Sequence, residues 1–73
     1  MKKLISFFTN KRYEVKATEN YIEIPFTDKS VMITHYELSN TYQYFVYSLD
    51  NELISQSKKY KTIETIYKHF LEI

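Results

Sequence analysis

The sequence predicts an α+β fold: an antiparallel sheet of four to five strands packed by a C-terminal helix. Three observations carry this. Between residues 12 and 56 polar and apolar side chains alternate with a period of two, the pattern of strands with one wet face. Short polar clusters (Thr18-Glu19-Asn20, Thr27-Asp28-Lys29-Ser30, Ser39-Asn40-Thr41 and Asp50-Asn51) interrupt the alternation where chain reversals belong. After Thr62 the apolar residues switch to the helical period of about 3.6.

Taken in order, residues 1–10 form an N-terminal segment. Leu4, Ile5 and Phe8 would share one face of a short helix over 2–10, although Ser6 and the β-branched Ile5 favour it only weakly. Residues 12–56 make the sheet. Tyr13, Val15 and Ala17 alternate with Arg12, Glu14 and Lys16 in a first strand. Ile22, Ile24 and Phe26 alternate with Tyr21, Glu23 and Pro25 in a second. Pro25 has no N–H, which confines that stretch to a strand end or a sheet edge. A third strand over 31–38 has the faces Val31/Ile33/His35/Glu37 and Met32/Thr34/Tyr36/Leu38. The second face is the more apolar, so it is expected against the core.

The fourth strand, Tyr42 to Leu49, sets Tyr42, Tyr44 and Val46 against Gln43, Phe45, Tyr47 and Leu49. Asp50-Asn51 suits a two-residue hairpin, because both residues tolerate positive φ when glycine is missing. A short fifth strand, Glu52 to Gln56, returns from it. The last element is a helix over 62–72. Thr62 is its N-cap, Glu64 lies in the first turn at the positive end of the dipole, and Ile63, Ile66, Tyr67, Phe70 and Leu71 make one apolar stripe. The 73 residues are read as one domain, 1–73.

Composition excludes several function classes. Ten Lys+Arg against nine Asp+Glu leave a net charge of +1, neither an acidic DNA mimic nor a basic nucleic-acid coat. Without cysteine there is no disulfide scaffold or thiolate zinc site. Without glycine there is no phosphate-cradling loop, dinucleotide fingerprint or nucleophile elbow. A chain this short buries only about 60% of its unfolded surface, so self-association into a homodimer is the expected supplement. Eight tyrosines suit an interface. Leu4 to Phe8 follows Met1-Lys2-Lys3 in the order of a signal peptide, but it is shorter than the roughly 7–15 residues such a segment needs. A cytoplasmic protein without membrane attachment is expected.

Catalytic constellations are thin. His35 and His69 are the two near-neutral acid–base groups, and neither has a nucleophile beside it or metal-ligand spacing. Glu14, Glu19, Glu23 and Glu37 read as solvated strand residues. No enzyme activity, cofactor or metal is expected. Lys58, Lys59 and Lys61 flank Tyr60, and with Tyr42 and Tyr44 they outline an alternative function: nucleic-acid binding, or transcription regulation, by stacking and phosphate contact. A single arginine and the near-neutral charge make direct nucleic-acid contact the second choice.

Ile5-Ser6-Phe7-Phe8 resembles the hydrophobic half of the peptide that bacterial sliding-clamp ligands insert into the clamp pocket, with Leu4 in the place of the family's glutamine and Phe7 in place of its second leucine. Residues with A/T-rich codons (Phe, Tyr, Met, Ile, Asn, Lys) make up about half of the chain. Its size, this composition and its strand-rich body with a terminal helix resemble the small early proteins of phages that infect low-GC Gram-positive hosts, of the sliding-clamp inhibitor type. The resemblance implies a homodimeric inhibitor of host DNA replication that binds a host protein. Two routes follow from it. Ile5, Phe7 and Phe8 would enter the clamp pocket, or the acidic Glu14, Glu19 and Glu23 would face a channel built for DNA, where lysines would be repelled.

Overall fold

The structure is a computed structural model describing all residues, Met1–Ile73. The chain runs α1 (Lys2–Asn10), β1 (Lys16–Ala17), β2 (Tyr21–Pro25), β3 (Lys29–Tyr36), β4 (Thr41–Ser48), β5 (Leu53–Gln56) and α2 (Ile63–Phe70). The five strands form one antiparallel sheet in the order β1-β2-β3-β4-β5, so every sheet neighbour is also a chain neighbour. No helix is long and apolar enough to cross a membrane.

Register decides which side chains meet. Ile22 lies opposite Ile33, Ile24 opposite Val31, Val31 opposite Val46 and Ile33 opposite Tyr44. The pleat puts all of them on one face. Both helices cover that face: Leu4 and Phe8 of α1 and Ile63, Ile66 and Phe70 of α2 complete the buried core. The expected inward face of the third strand is thereby corrected. Val31 and Ile33 point inward and are fully buried, whereas Met32, Thr34 and Tyr36 face away. Leu38 leaves the strand for the turn and is completely exposed. Counting apolar residues misleads here because both faces of this strand are apolar; the β-branched pair is what meets the helices.

α2 starts as expected: Thr62 Oγ1 accepts from the Thr65 N–H at 3.1 Å, Glu64 lies in the first turn and Lys68 and His69 in the last. α1 is the opposite case. It has no side-chain cap and carries Lys2 and Lys3 at the positive end of its dipole, so packing of Leu4 and Phe8 holds it. Its C-terminus closes in a Schellman arrangement. The Tyr13 N–H donates to Phe8 O (3.2 Å) and the Arg12 N–H to Thr9 O (2.9 Å), with the Tyr13 and Phe8 rings 6.0 Å apart. Arg12 occupies the left-handed position there, at φ 69°. That closure ties Tyr13 to the helix end, so the predicted first strand shrinks to Lys16 and Ala17. The other two left-handed residues are asparagines in the β3–β4 and β4–β5 reversals, Asn40 at φ 52° and Asn51 at φ 64°. The β4–β5 hairpin is wider than two residues, with the Ser48 N–H bonded to Glu52 O at 2.9 Å.

Candidate functional site: the uncovered face of the sheet

Both helices pack on one side, leaving the other face of the sheet without a layer over it. Its residues follow from the same register. Glu23 lies opposite Met32, Met32 opposite Phe45, Ser30 opposite Tyr47, and Tyr21 opposite Thr34. Phe45 continues to Gln56 and Tyr47 to Leu53 on β5. Tyr21, Met32, Tyr36, Phe45 and Tyr47 are half-buried and are not packed against the core. Along the paired positions of this face charge is confined to Glu23 and, on the short edge strand opposite it, Lys16.

Polar groups on the face are held in place. The Ser30 hydroxyl donates to Glu23 Oε2 at 2.6 Å. The Tyr36 hydroxyl donates to Gln43 Oε1 at 2.8 Å, and Gln43 Nε2 donates to the Ser57 carbonyl at 2.6 Å. Both polar atoms of the buried Gln43 side chain therefore have a hydrogen-bond partner. Lys59 Nζ sits 4.5 Å above the centre of the Tyr36 ring, a cation–π contact at the rim. Between the aromatic side chains and Glu23 lies a shallow depression of about 220 Å³, lined by Tyr21, Glu23, Ser30, Met32, Tyr47 and Asn51. A fixed, charge-poor surface of Tyr, Phe and Met is what the centre of a protein interface is made of.

The two histidines lie elsewhere. Ser30 is oriented by Glu23 alone. His35 stacks on Tyr42 (4.5 Å between ring centres) on the helix-covered side, with Nε2 2.9 Å from Asn40 Oδ1. His69 stacks on Tyr60 at 4.6 Å. No group of three or more His, Cys, Asp or Glu is placed to hold a metal.

The residues singled out from sequence are dispersed. Phe8 is fully buried and Ile5 and Phe7 are half-buried against the core, so the N-terminal tetrapeptide is not an exposed ligand. Phe7 lies edge-on to Tyr67 at 5.3 Å, and Lys11 Nζ caps the two rings at 5.0 and 4.7 Å. Its apolar side chains are the material that attaches α1 to the sheet. Glu14 and Glu19 are exposed in loops, and only Glu23 belongs to the uncovered face. Tyr42 and Tyr44 are corrected as well: they point toward the helices, Tyr42 buried and Tyr44 half-buried. Burial pushes the Tyr44 phenol above its ordinary value, with smaller contributions from Tyr60 and Glu72. Lys58, Lys59 and Lys61 are exposed, and Lys59 meets Tyr36 rather than Tyr42 or Tyr44. Sequence reasoning missed Tyr21, Met32, Tyr36, Phe45 and Tyr47. Their signal was there: the third and fourth strands are apolar on both faces, and the helices supply only one covering layer.

No family model, curated protein or solved structure matches the chain.

Proposed function

We propose that this chain is a non-enzymatic cytoplasmic protein that docks on a partner protein through the uncovered face of its sheet and inhibits that partner. The observation carrying the reading is the face itself: an ordered array of Tyr, Phe and Met with almost no charge. Leaving such a surface to water forfeits about 25 cal/mol for each Å² that a partner would bury. The resemblance to phage inhibitors makes the sliding clamp of a low-GC Gram-positive host the most concrete partner. Burial of Phe8 speaks against insertion of the N-terminal segment into the clamp pocket, since release of α1 would dismantle the core. Docking through the face, with Glu23 toward a cationic surface, keeps the fold intact.

Binding to the purified clamp, measured by calorimetry for the parent chain and for Phe45→Lys, tests this. Binding by the parent and at least a hundredfold loss in the variant are expected. No binding by the parent removes the clamp. Equal binding by both removes the face.

A second reading rests on the Lys59–Tyr36 contact: single-stranded nucleic acid stacking on Tyr36, Phe45 and Tyr47. Affinity for an oligonucleotide that falls steeply with added salt would favour it, because phosphate contacts release counterions and a protein–aromatic interface does not.

A further inference from the structure

The sheet has two edges, and they differ. At one end β1 is two residues long and carries Lys16, the kind of short, charged edge that refuses further strands. At the other end β5 (Leu53-Ile54-Ser55-Gln56) is exposed along its whole length and has no charge, no proline and no covering loop or helix assigned to it. Leu53 is 51% exposed and Ile54 60%, and Leu49 in the adjoining hairpin is 67% exposed. Three of the five most exposed large apolar side chains of the molecule therefore sit on or beside this edge. A bulge leaves Ile54 without a partner on β4, since Val46 pairs with Ser55 and Tyr47 with Leu53.

We propose that β5 is the dimer interface of this protein, pairing antiparallel with β5 of a second copy across a two-fold axis through the middle of the strand. Charge favours a second copy as the occupant. Glu52 and Lys58, both exposed, flank β5 at opposite ends. Antiparallel pairing centred on Ser55 sets Glu52 of each copy opposite Lys58 of the other, two complementary pairs around an uncharged middle. Parallel pairing would instead align Glu52 with Glu52 and Lys58 with Lys58. Area points the same way. The protein exposes 5239 Å², whereas a monomer of its 8.9 kDa typically exposes about 4,800 Å². The excess is about half of what each partner loses in a standard interface. Backbone pairing along β5, with Leu53 opposite Ser57 and Ile54 opposite Gln56 of the other copy, would remove part of it.

A two-fold axis normal to the sheet keeps both uncovered faces on the same side, so the dimer presents one continuous ten-stranded docking surface with all four helices behind it. That consequence rests on the docking role proposed above; the dimer itself does not.

Sedimentation equilibrium across concentrations up to about 1 mM decides the matter. The parent chain is expected to be dimeric. Ile54→Lys should be monomeric with an unchanged circular-dichroism spectrum, because Ile54 contributes nothing to the core, and Phe45→Lys should remain a dimer. Glu52→Lys should weaken dimerisation by about three- to tenfold, and Glu52→Lys combined with Lys58→Glu should restore it. A monomeric parent, a dimer that survives Ile54→Lys, or a dimer broken by Phe45→Lys would each overturn the proposal. The last outcome would place self-association on the uncovered face instead, a result separate from whether that face binds the clamp.

Discussion

The two faces of this sheet are built from the same strands and similar side chains, yet one is the core and the other a surface. Across β3 and β4 the inner positions hold Val31, Ile33, Tyr44 and Val46, and the outer ones Met32, Tyr36, Phe45 and Tyr47. Apolarity alone does not separate them. The difference lies in what comes to meet each face: α1 and α2 bring Leu4, Phe8, Ile63, Ile66 and Phe70 to the inner side and nothing to the outer. Phe8 illustrates the density this gives, with the rings of Phe7, Tyr13, Tyr67 and Phe70 all between 5.1 and 6.0 Å from its own, each edge-on. On the outer face the polar atoms of Glu23, Ser30, Tyr36 and Gln43 are locked in hydrogen bonds, while the rings remain open to a partner. The side chains of this sheet suit burial on both faces, and the helices cover one.

The contrast is most sharply tested at matched phenylalanines. Phe8→Ala removes a fully buried ring and should cost about 3–5 kcal/mol. That is about the whole stability expected of so small a core, so the variant should be unfolded by circular dichroism at 37 °C. Phe45→Ala should leave the melting temperature within a few degrees of the parent and lose partner binding instead. A variant at Phe8 that folds normally, or one at Phe45 that unfolds, would reverse the assignment of the faces.

Helix ends give a smaller effect on the covered side. Thr62→Ala removes the acceptor for the Thr65 N–H and should lower stability by about 1 kcal/mol in denaturant titration, with no effect on binding.

Ionisation of the inner tyrosines distinguishes the faces by pH. The Tyr44 phenol is pushed up from its ordinary value of 10.0, chiefly by burial, and Tyr13 is raised by burial and then by the Tyr67 hydroxyl beside it. A raised value means that the folded protein holds the neutral phenol more firmly than the unfolded chain does. Their contribution is fully present below the unfolded value near pH 10 and is lost as pH rises through the folded one. Unfolding free energy should thus decline only in strong base, and Tyr44→Phe should make the decline shallower while leaving neutral-pH stability nearly unchanged.

The smallest effect belongs to Arg12, whose left-handed backbone costs more for a residue with a Cβ. Arg12→Gly should change stability by less than about 1 kcal/mol, in the stabilising direction if relief of that conformation outweighs the freedom glycine gains when unfolded. Thermal melts check this: a loss of more than about 1 kcal/mol exceeds what glycine's unfolded freedom costs and would show that the arginine side chain itself contributes.

Local chemistry made much of the fold legible in the sequence: Thr62 and Glu64 mark the start of α2, the alternation of residues 21–26 and 42–48 marks β2 and β4, and Asn40 and Asn51 mark reversals in a chain without glycine. These signals depend on residues close together in the chain, which is why they survive without knowledge of the rest. The candidate site was legible only in part. Glu23 and Lys59 were noticed for their charge and do lie at the uncovered face, whereas Tyr42 and Tyr44, singled out for stacking, lie on the helix-covered side, and Phe8, singled out as a pocket ligand, is in the core.

What the tertiary structure alone decided is which face of a doubly apolar sheet the helices would cover. Periodicity tells which side chains share a face; it carries no sign that distinguishes inside from outside when both faces are apolar. That sign comes from the packing of Leu4, Phe8, Ile66 and Phe70 onto Ile22, Ile24, Val31 and Ile33, contacts between elements up to the whole length of the chain apart. The sequence by itself determined an antiparallel sheet of four to five strands with a capped C-terminal helix, because hairpins and caps are made between neighbours; the exposed aromatic face and the open β5 edge exist only once the distant elements have chosen a side.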